Sequence, residues 1–244
     1  MNNPVFILIQ PQIAENIGMA ARAMLNCGIK EMRLVNPRES HLSDKAFAAS
    51  SGAEIILKNA KLYSSTEEAI ADCDYIYATT ARRRGMIKPI QTAKFAAEEI
   101  SQHQGHKYGI LFGPERTGLE NDDVCLANSI IEIPLNPEHC SLNLSQAVLL
   151  VGYEWYQKQI QAPKQQFSIG KTSFANKEKI MFFIKALEDK IEASGIFHQP
   201  EKKEHIRINL RNIFTRAEIT EQELNTLYGV INHINQSSHT QNKE

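Results

Sequence analysis

Apolar positions in the first 160 residues fall into two alternating patterns. Short runs rich in β-branched and aromatic residues occur at 5–10, 32–36, 75–80, 108–112 and 130–135, with a weaker run at 55–58. Between them, residues 16–27, 44–49, 66–71, 93–103 and 119–127 carry apolar side chains at helical spacing, and a longer helical pattern covers 144–159. A short continuous apolar run suits a strand buried on both faces. Strands that alternate with helices predict a parallel sheet with helices on both faces. Ser65, with Glu68 three residues later, is the reciprocal cap that opens a helix at 66.

The pattern changes after residue 160. Residues 161–176 contain Pro163, Gly170 and several Gln and Ser, with few apolar positions, which predicts a linker. Beyond it everything reads as helix, over about 177–193, 202–217 and 221–234. Thr220 and Glu223 form a second reciprocal cap, and the polar tail from 237 is expected to fray. The sequence therefore predicts an α/β domain over 1–160, a linker over 161–176 and a small all-helical extension over 177–244.

Composition narrows the classes. Hydrophobic residues make up 42% of the 244 and charged residues 23%, as in a soluble globular chain. No run approaches the roughly 18 apolar residues of a membrane span, and the N-terminus lacks the basic start of a secretory signal. Cys27, Cys73, Cys125 and Cys140 form no C-x-x-C pair. Neither a disulfide framework nor a metal site is expected, and reduced thiols in the cytoplasm are. A net charge of −1 removes the simplest argument for a nucleic-acid partner. Two clusters depart from that neutrality. Arg82, Arg83 and Arg84 stand together near Lys88, and Lys202, Lys203, Arg207 and Arg211 recur at roughly helical spacing. The second cluster fits a stripe that follows phosphates as well as it fits an ordinary solvated helix face.

The common cofactor signatures are missing. The chain has no G-x-G, which argues against a dinucleotide fingerprint. Gly170-Lys171-Thr172 ends like a P-loop, but the first glycine of that motif is replaced by Gln165. There is no G-x-S-x-G elbow.

Three segments carry more information. The first, Asn16-Ile17-Gly18 through Arg22 to Asn26-Cys27-Gly28, follows the first strand. The second is Phe112-Gly113-Pro114-Glu115-Arg116-Thr117-Gly118-Leu119, at the carboxyl end of a predicted strand, where open α/β sheets bind ligands. The third runs from Ile133-Pro134 to Ser141-Leu142-Asn143-Leu144-Ser145 and opens a helix. Each has a plain structural account taken alone. Asn16 can cap a helix beside a solvated Arg22, Glu115 and Arg116 can be a surface pair, and Ser141 and Asn143 can be caps.

In this order and spacing the three segments resemble motifs one, two and three of the SpoU branch of the SPOUT RNA methyltransferases. The tail sequences 210–217 and 221–225 resemble the extension of the TrmJ type, so the likeness spans nearly the whole chain. The resemblance implies a C-terminal trefoil knot, a homodimer with its active site completed across the interface, and S-adenosylmethionine as cofactor. The implied reaction methylates the ribose 2′-hydroxyl of the pyrimidine at position 32 in the tRNA anticodon loop. Carried over by position, the cofactor residues are Thr79, Thr80, Ala81, Gly113, Ile133, Ser141, Leu142 and Asn143. The catalytic group is Arg22, Asn16, Glu115, Ser141 and Asn143. Arg82, Arg83 and Arg84 would lie on a loop along the RNA path, with Lys202, Lys203, Arg207 and Arg211 on the tail. Arg22 is better suited to clamp a phosphate beside the ribose than to take a proton, because guanidinium is not readily deprotonated. The dimer would also give the alanine-rich face of motif one a reason for close packing. Pro114 stands where some TrmJ-type sequences have Arg. Ribosomal RNA as substrate, methylation of a base, and a catalytically silent RNA-binding protein are the competing readings.

Overall fold

The computed structural model describes residues 3–80, 86–103, 105–160, 168, 170–193 and 200–240. The chain divides into two compact units, Met1–Ala162 and Pro163–Glu244. In the first, the strands are β1 (Val5–Ile9), β2 (Met32–Val35), β3 (Lys61–Tyr63), β4 (Tyr75–Thr79), β5 (Ile90–Gln91), β6 (Tyr108–Phe112) and β7 (Ser129–Ile131). They form one sheet in the order β3-β2-β1-β6-β4-β7-β5, parallel throughout. The helices are α1 (Ala14–Asn26), α2 (Asp44–Ser50), α3 (Glu54–Lys58), α4 (Thr66–Ile70), α5 (Ala93–Gln102), α6 (Asn121–Cys125) and α7 (Leu144–Gln159).

Both faces of the sheet are covered, so every residue of β1 and β6 is buried. Phe6, Leu8 and Ile110 pack against Ile17 and Met24 of α1, Ile100 of α5 and Val151 and Trp155 of α7. Val5, Ile7 and Leu111 face the other way, toward Ala69 of α4 and Val124 of α6. A charged side chain, Arg33 on β2, is also buried, at 1% exposed. It pairs with Asp72 at 2.5 Å and Glu31 at 2.6 Å and donates to the Ala69 carbonyl at 2.6 Å. The Arg33 hydrogen bond, aided by Lys107, holds the Asp72 carboxyl well below the usual carboxylate range.

Several expectations need correction. Residues 55–58 belong to helix α3, with Ile56 and Leu57 buried, and not to a strand. Strands β3 and β5 had no sequence signal, being short edge strands with exposed positions such as Leu62 and Ile90. The alanine-rich face of motif one packs within its own subunit. Ala20, Ala21 and Met24 are fully buried and Ala23 nearly so, in the same core as α2 and α7. Gly18 has a local reason too. A Cβ there would lie 2.2 Å from the Ala46 carbonyl oxygen of α2.

The second unit holds α8 (Lys177–Ala193), α9 (Pro200–Arg216) and α10 (Glu221–Thr240). Ile180, Phe183, Ile184 and Leu224 form its core, with Phe214 and Tyr228 edge-on to the Phe183 ring. Part of the segment read as a linker is built into this unit: Phe174 bridges to Thr220, and the Ala175 N–H donates to the Ile219 carbonyl at 2.8 Å. The cap expected at α10 is present, with the Thr220 hydroxyl donating to Glu223 at 2.7 Å and the Glu223 N–H returning to it at 3.2 Å.

Candidate functional site

Strands β1, β6, β4 and β7 are neighbours at the centre of the sheet. The three motifs leave the carboxyl ends of three of them, β1, β6 and β7, and the sheet geometry brings them together. Motif one opens α1, but Asn16 is not its cap. The cap position is Ile13, and the first free N–H of the helix, on Ala14, donates to the Glu39 carboxylate at 2.9 Å. Asn16 sits in the first turn, 5% exposed, with its carboxamide free to serve something else.

That something is a hydrogen-bond relay. The Asn143 side-chain oxygen accepts from the Ser145 backbone N–H at 2.8 Å and from the Ser145 hydroxyl at 2.7 Å. A backbone N–H is a donor without ambiguity, so it fixes which end of the Asn143 carboxamide is oxygen. The Asn143 NH₂ then donates to the Asn16 oxygen at 3.0 Å, and the Asn16 NH₂ donates to Glu115 at 2.6 Å. The second Glu115 oxygen accepts from the Gln12 backbone N–H at 3.2 Å. The relay thus has one direction, from the start of α7 through α1 to the loop after β6, and it ends on a carboxylate that accepts at both oxygens. Asn143 also caps α7, its own N–H donating to Gln146 at 3.0 Å. The capping and the functional accounts of Asn143 therefore hold together, one at each end of its carboxamide.

Beside the relay lies a cavity of about 270 Å³, just below the roughly 300–1,000 Å³ typical of small-molecule sites. Thr79, Thr80, Gly113, Ile133, Ser141 and Leu142 line it, as does Glu115. Asn143 does not, because its carboxamide is turned to Asn16. Leu135 and Cys140 also line it; they lie inside the third segment, but neither was singled out as a cofactor residue. Gly113 must be glycine: a Cβ there would lie 2.1 Å from the Leu119 nitrogen, where the loop folds back on itself. The Thr79 hydroxyl is engaged by the Leu111 carbonyl at 2.8 Å, whereas the exposed Ser141 hydroxyl has no hydrogen bond among the described residues. Arg22 is exposed on α1, without an ion pair among the described residues and apart from the residues lining the cavity.

The basic tail residues occupy a different setting from the one charge alone suggested. Arg211 makes a two-pronged pair with Glu188 of α8, at 2.9 and 3.2 Å. Arg207 reaches Glu188 at 3.3 Å and Glu204 at 3.4 Å, and Lys203 pairs with Glu192. These cations tie α9 to α8. Ala81, Arg82, Arg83, Arg84 and the Lys202 side chain lie outside the described residues. Among the described residues no group of acidic, His and Cys side chains could hold a metal, and no helix is long and apolar enough to cross a membrane.

Known proteins resemble this chain in sequence and in fold. The SpoU rRNA Methylase family matches residues 3–153. The tRNA (cytidine/uridine-2′-O-)-methyltransferase TrmJ of Sodalis glossinidius is 31% identical over 100% of this chain and 94% of its own. The tRNA (cytidine-2′-O-)-methyltransferase TrmJ of Methanocaldococcus jannaschii is 33% identical over 91% of this chain and 95% of its own. The crystal structure of TrmJ from Z. mobilis ZM4 superposes with a TM-score of 0.83 at 43% identity, covering 95% of this chain and 98% of that one. By its sequence and by the sheet that gathers its three motifs at one end, the protein belongs to the SpoU methylase family, alongside the TrmJ proteins.

Proposed function

We propose that the protein transfers a methyl group from S-adenosylmethionine to the ribose 2′-hydroxyl of the pyrimidine at position 32 in the tRNA anticodon loop. The observation that carries this reading is the relay from Asn143 through Asn16 to Glu115 at the wall of the cavity. The cavity fits the cofactor in kind. Ile133, Leu135 and Leu142 offer apolar walls for a purine, the close fold at Gly113 brings backbone to the wall, and the Ser141 hydroxyl is available to a polar group. Thr79, Thr80, Gly113, Ile133, Ser141 and Leu142 would hold it, together with Ala81, the next residue in sequence after Thr80, and with Asn143 supporting the turn.

The bound cofactor supplies a methyl group on a sulfonium, with a neutral thioether as leaving group. Little acid–base machinery is then required of the chain, and its task is to place the 2′-oxygen in line with the methyl carbon. The relay suits that task. Glu115 accepts from Asn16 and from the Gln12 N–H, so it orients Asn16. Asn143 is held from its other side by Ser145. A fixed amide surface beside a partly enclosed cavity can align a ribose without taking a proton itself, and the 2′-hydroxyl proton released on methylation passes to solvent water.

Arg22 acts in this reading as a clamp on a phosphate next to the attacked ribose, from the second subunit of a homodimer. Exposed apolar residues on α1 and α7, among them Met19, Leu149 and Tyr153, support a second copy on that face. The trefoil knot and a cytoplasmic location belong to the same reading, as do Arg82, Arg83, Arg84, Lys202, Lys203, Arg207 and Arg211 along the RNA.

The test is incubation with labelled S-adenosylmethionine and unmodified tRNA transcripts, followed by alkaline digestion. A 2′-O-methyl group removes the internal nucleophile, so label should appear in an alkali-resistant dinucleotide from position 32, and Arg22→Ala should lose it. Label in a single nucleotide would mean base methylation. Label confined to ribosomal RNA would reassign the substrate.

A further inference from the structure

The residues lining the cavity include two charged side chains, Glu115 and Arg116, adjacent in sequence and opposite in circumstance. Both oxygens of Glu115 already accept hydrogen bonds, from Asn16 and from the Gln12 N–H. Arg116 is exposed, and it has no hydrogen bond or ion pair among the described residues. The two do not pair with each other, because Glu115 is held down into the relay. Arg116 rides on a short turn whose ends are tied by the Gly118 N–H donating to the Pro114 carbonyl at 2.8 Å, while Gly113 forbids any bulk beneath it. The turn therefore fixes the backbone that presents this guanidinium at the wall of the cavity, uncompensated among the described residues.

A planar cation with five donors at the wall of a cavity, with no counter-charge among the described residues, matches one ligand chemistry, an oxyanion. We infer that Arg116 binds the RNA phosphate next to the methylated ribose and so helps align the 2′-oxygen with the cavity. This inference rests on the proposed methyl transfer. The same oxyanion chemistry could be offered by the carboxylate of the cofactor's methionine moiety, and the two sources differ in what they make measurable. Arg116 borders the cavity of its own chain, and Arg22 is not among the residues that line it.

The experiment compares wild type, Arg116→Ala and Arg116→Lys. Steady-state methyl transfer gives kcat and the KM for tRNA, equilibrium dialysis gives S-adenosylmethionine binding, and filter binding of tRNA is followed against salt. Arg116 is exposed, so both variants should fold, which matching thermal unfolding curves will verify. The expected result for Arg116→Ala is a fall in kcat/KM for tRNA of about tenfold or more, with the salt slope of tRNA binding shallower by roughly 1, as for one lost phosphate contact. Cofactor binding should be unchanged, and Arg116→Lys should recover binding more than turnover, because a point charge keeps attraction and loses the two-pronged geometry. Weakened cofactor binding with an unaltered salt slope would overturn the inference in favour of the carboxylate. Wild-type values throughout would overturn it outright. If wild type itself produces no 2′-O-methyl product, the enzymatic reading fails, and the tRNA salt slope still decides whether Arg116 touches a phosphate.

Discussion

Gly18→Ala sets two physical effects against each other, and the structure says which wins. Gly18 lies inside α1, where replacing glycine by alanine normally stabilises a helix by about 0.5–1 kcal/mol. Here the added Cβ would stand 2.2 Å from the Ala46 carbonyl oxygen and 2.9 Å from the Ala49 Cβ. Real Cβ contacts essentially never fall below 3.0 Å. The obstacle is backbone of α2, so no side chain can swing away, and the two helices must part by about 1 Å. Overpacking of this kind costs roughly 1–3 kcal/mol. The balance is a net loss of about 1–2 kcal/mol, read as a drop in Tm of roughly 2–8 °C. Function should suffer further. Asn16 stands two residues earlier on the same helix, so whatever part of the displacement α1 takes stretches its bonds of 2.6 and 3.0 Å. A misplacement of about 1 Å can cost about 10²-fold in rate. Thermal unfolding and single-turnover methyl transfer on the same preparation provide the check. A variant with a higher Tm and unimpaired transfer would refute the claim that the α1–α2 approach requires glycine.

Three other outcomes follow from the structure. Asn16→Asp replaces the donor facing Glu115 with a second carboxylate, and kcat should fall about 10²-fold with cofactor binding less affected; retention of activity within about twofold would remove the relay from the mechanism. Asp72 has a carboxyl depressed by Arg33, so it contributes stability that is present above the ordinary carboxylate range and lost as pH falls through and below it. Asp72→Asn should lower the urea midpoint at pH 7 and flatten the decline in stability between about pH 5 and pH 2; parallel pH curves for variant and wild type would contradict this. Glu188→Gln releases Arg207 and Arg211 from their shared acid, and tRNA binding should tighten with a salt slope steeper by roughly 1. A lower unfolding midpoint with unchanged tRNA affinity would mean that those arginines serve only to hold α9 to α8.

The fold was legible where the pattern was long or fully apolar. Strands β1 and β6 announce themselves because both faces of the sheet are covered and every position must be apolar. Residues 55–58 misled because a run of that length has no measurable period, and only its packing makes it helical. Strands β3 and β5 were invisible because an edge strand of two or three residues needs little apolar character. At the candidate site, residue types and spacing pointed to the right segments. They could not show that Asn16 joins Glu115 across 99 residues and Asn143 across 127, nor that Asn143 turns away from the cavity while Ser141 borders it. The basic stripe on α9 was readable and its acidic partners on α8 were not, because opposition between two helices is a property of packing.

The sheet order has a consequence for how the protein is made. Strand β1 sits between β2 and β6, so its pairing with Gly109 to Phe112 waits until more than a hundred residues have followed it off the ribosome. Until then the nascent chain carries a five-residue, wholly apolar strand with one ladder edge bare, the kind of edge that recruits other strands. Asn143 arrives later still, so no partial product can complete the relay. Synthesis therefore passes through a long interval in which the chain is vulnerable and inactive, and holding factors that shield apolar edges should raise the yield of this protein more than that of a chain whose neighbouring strands are also neighbours in sequence.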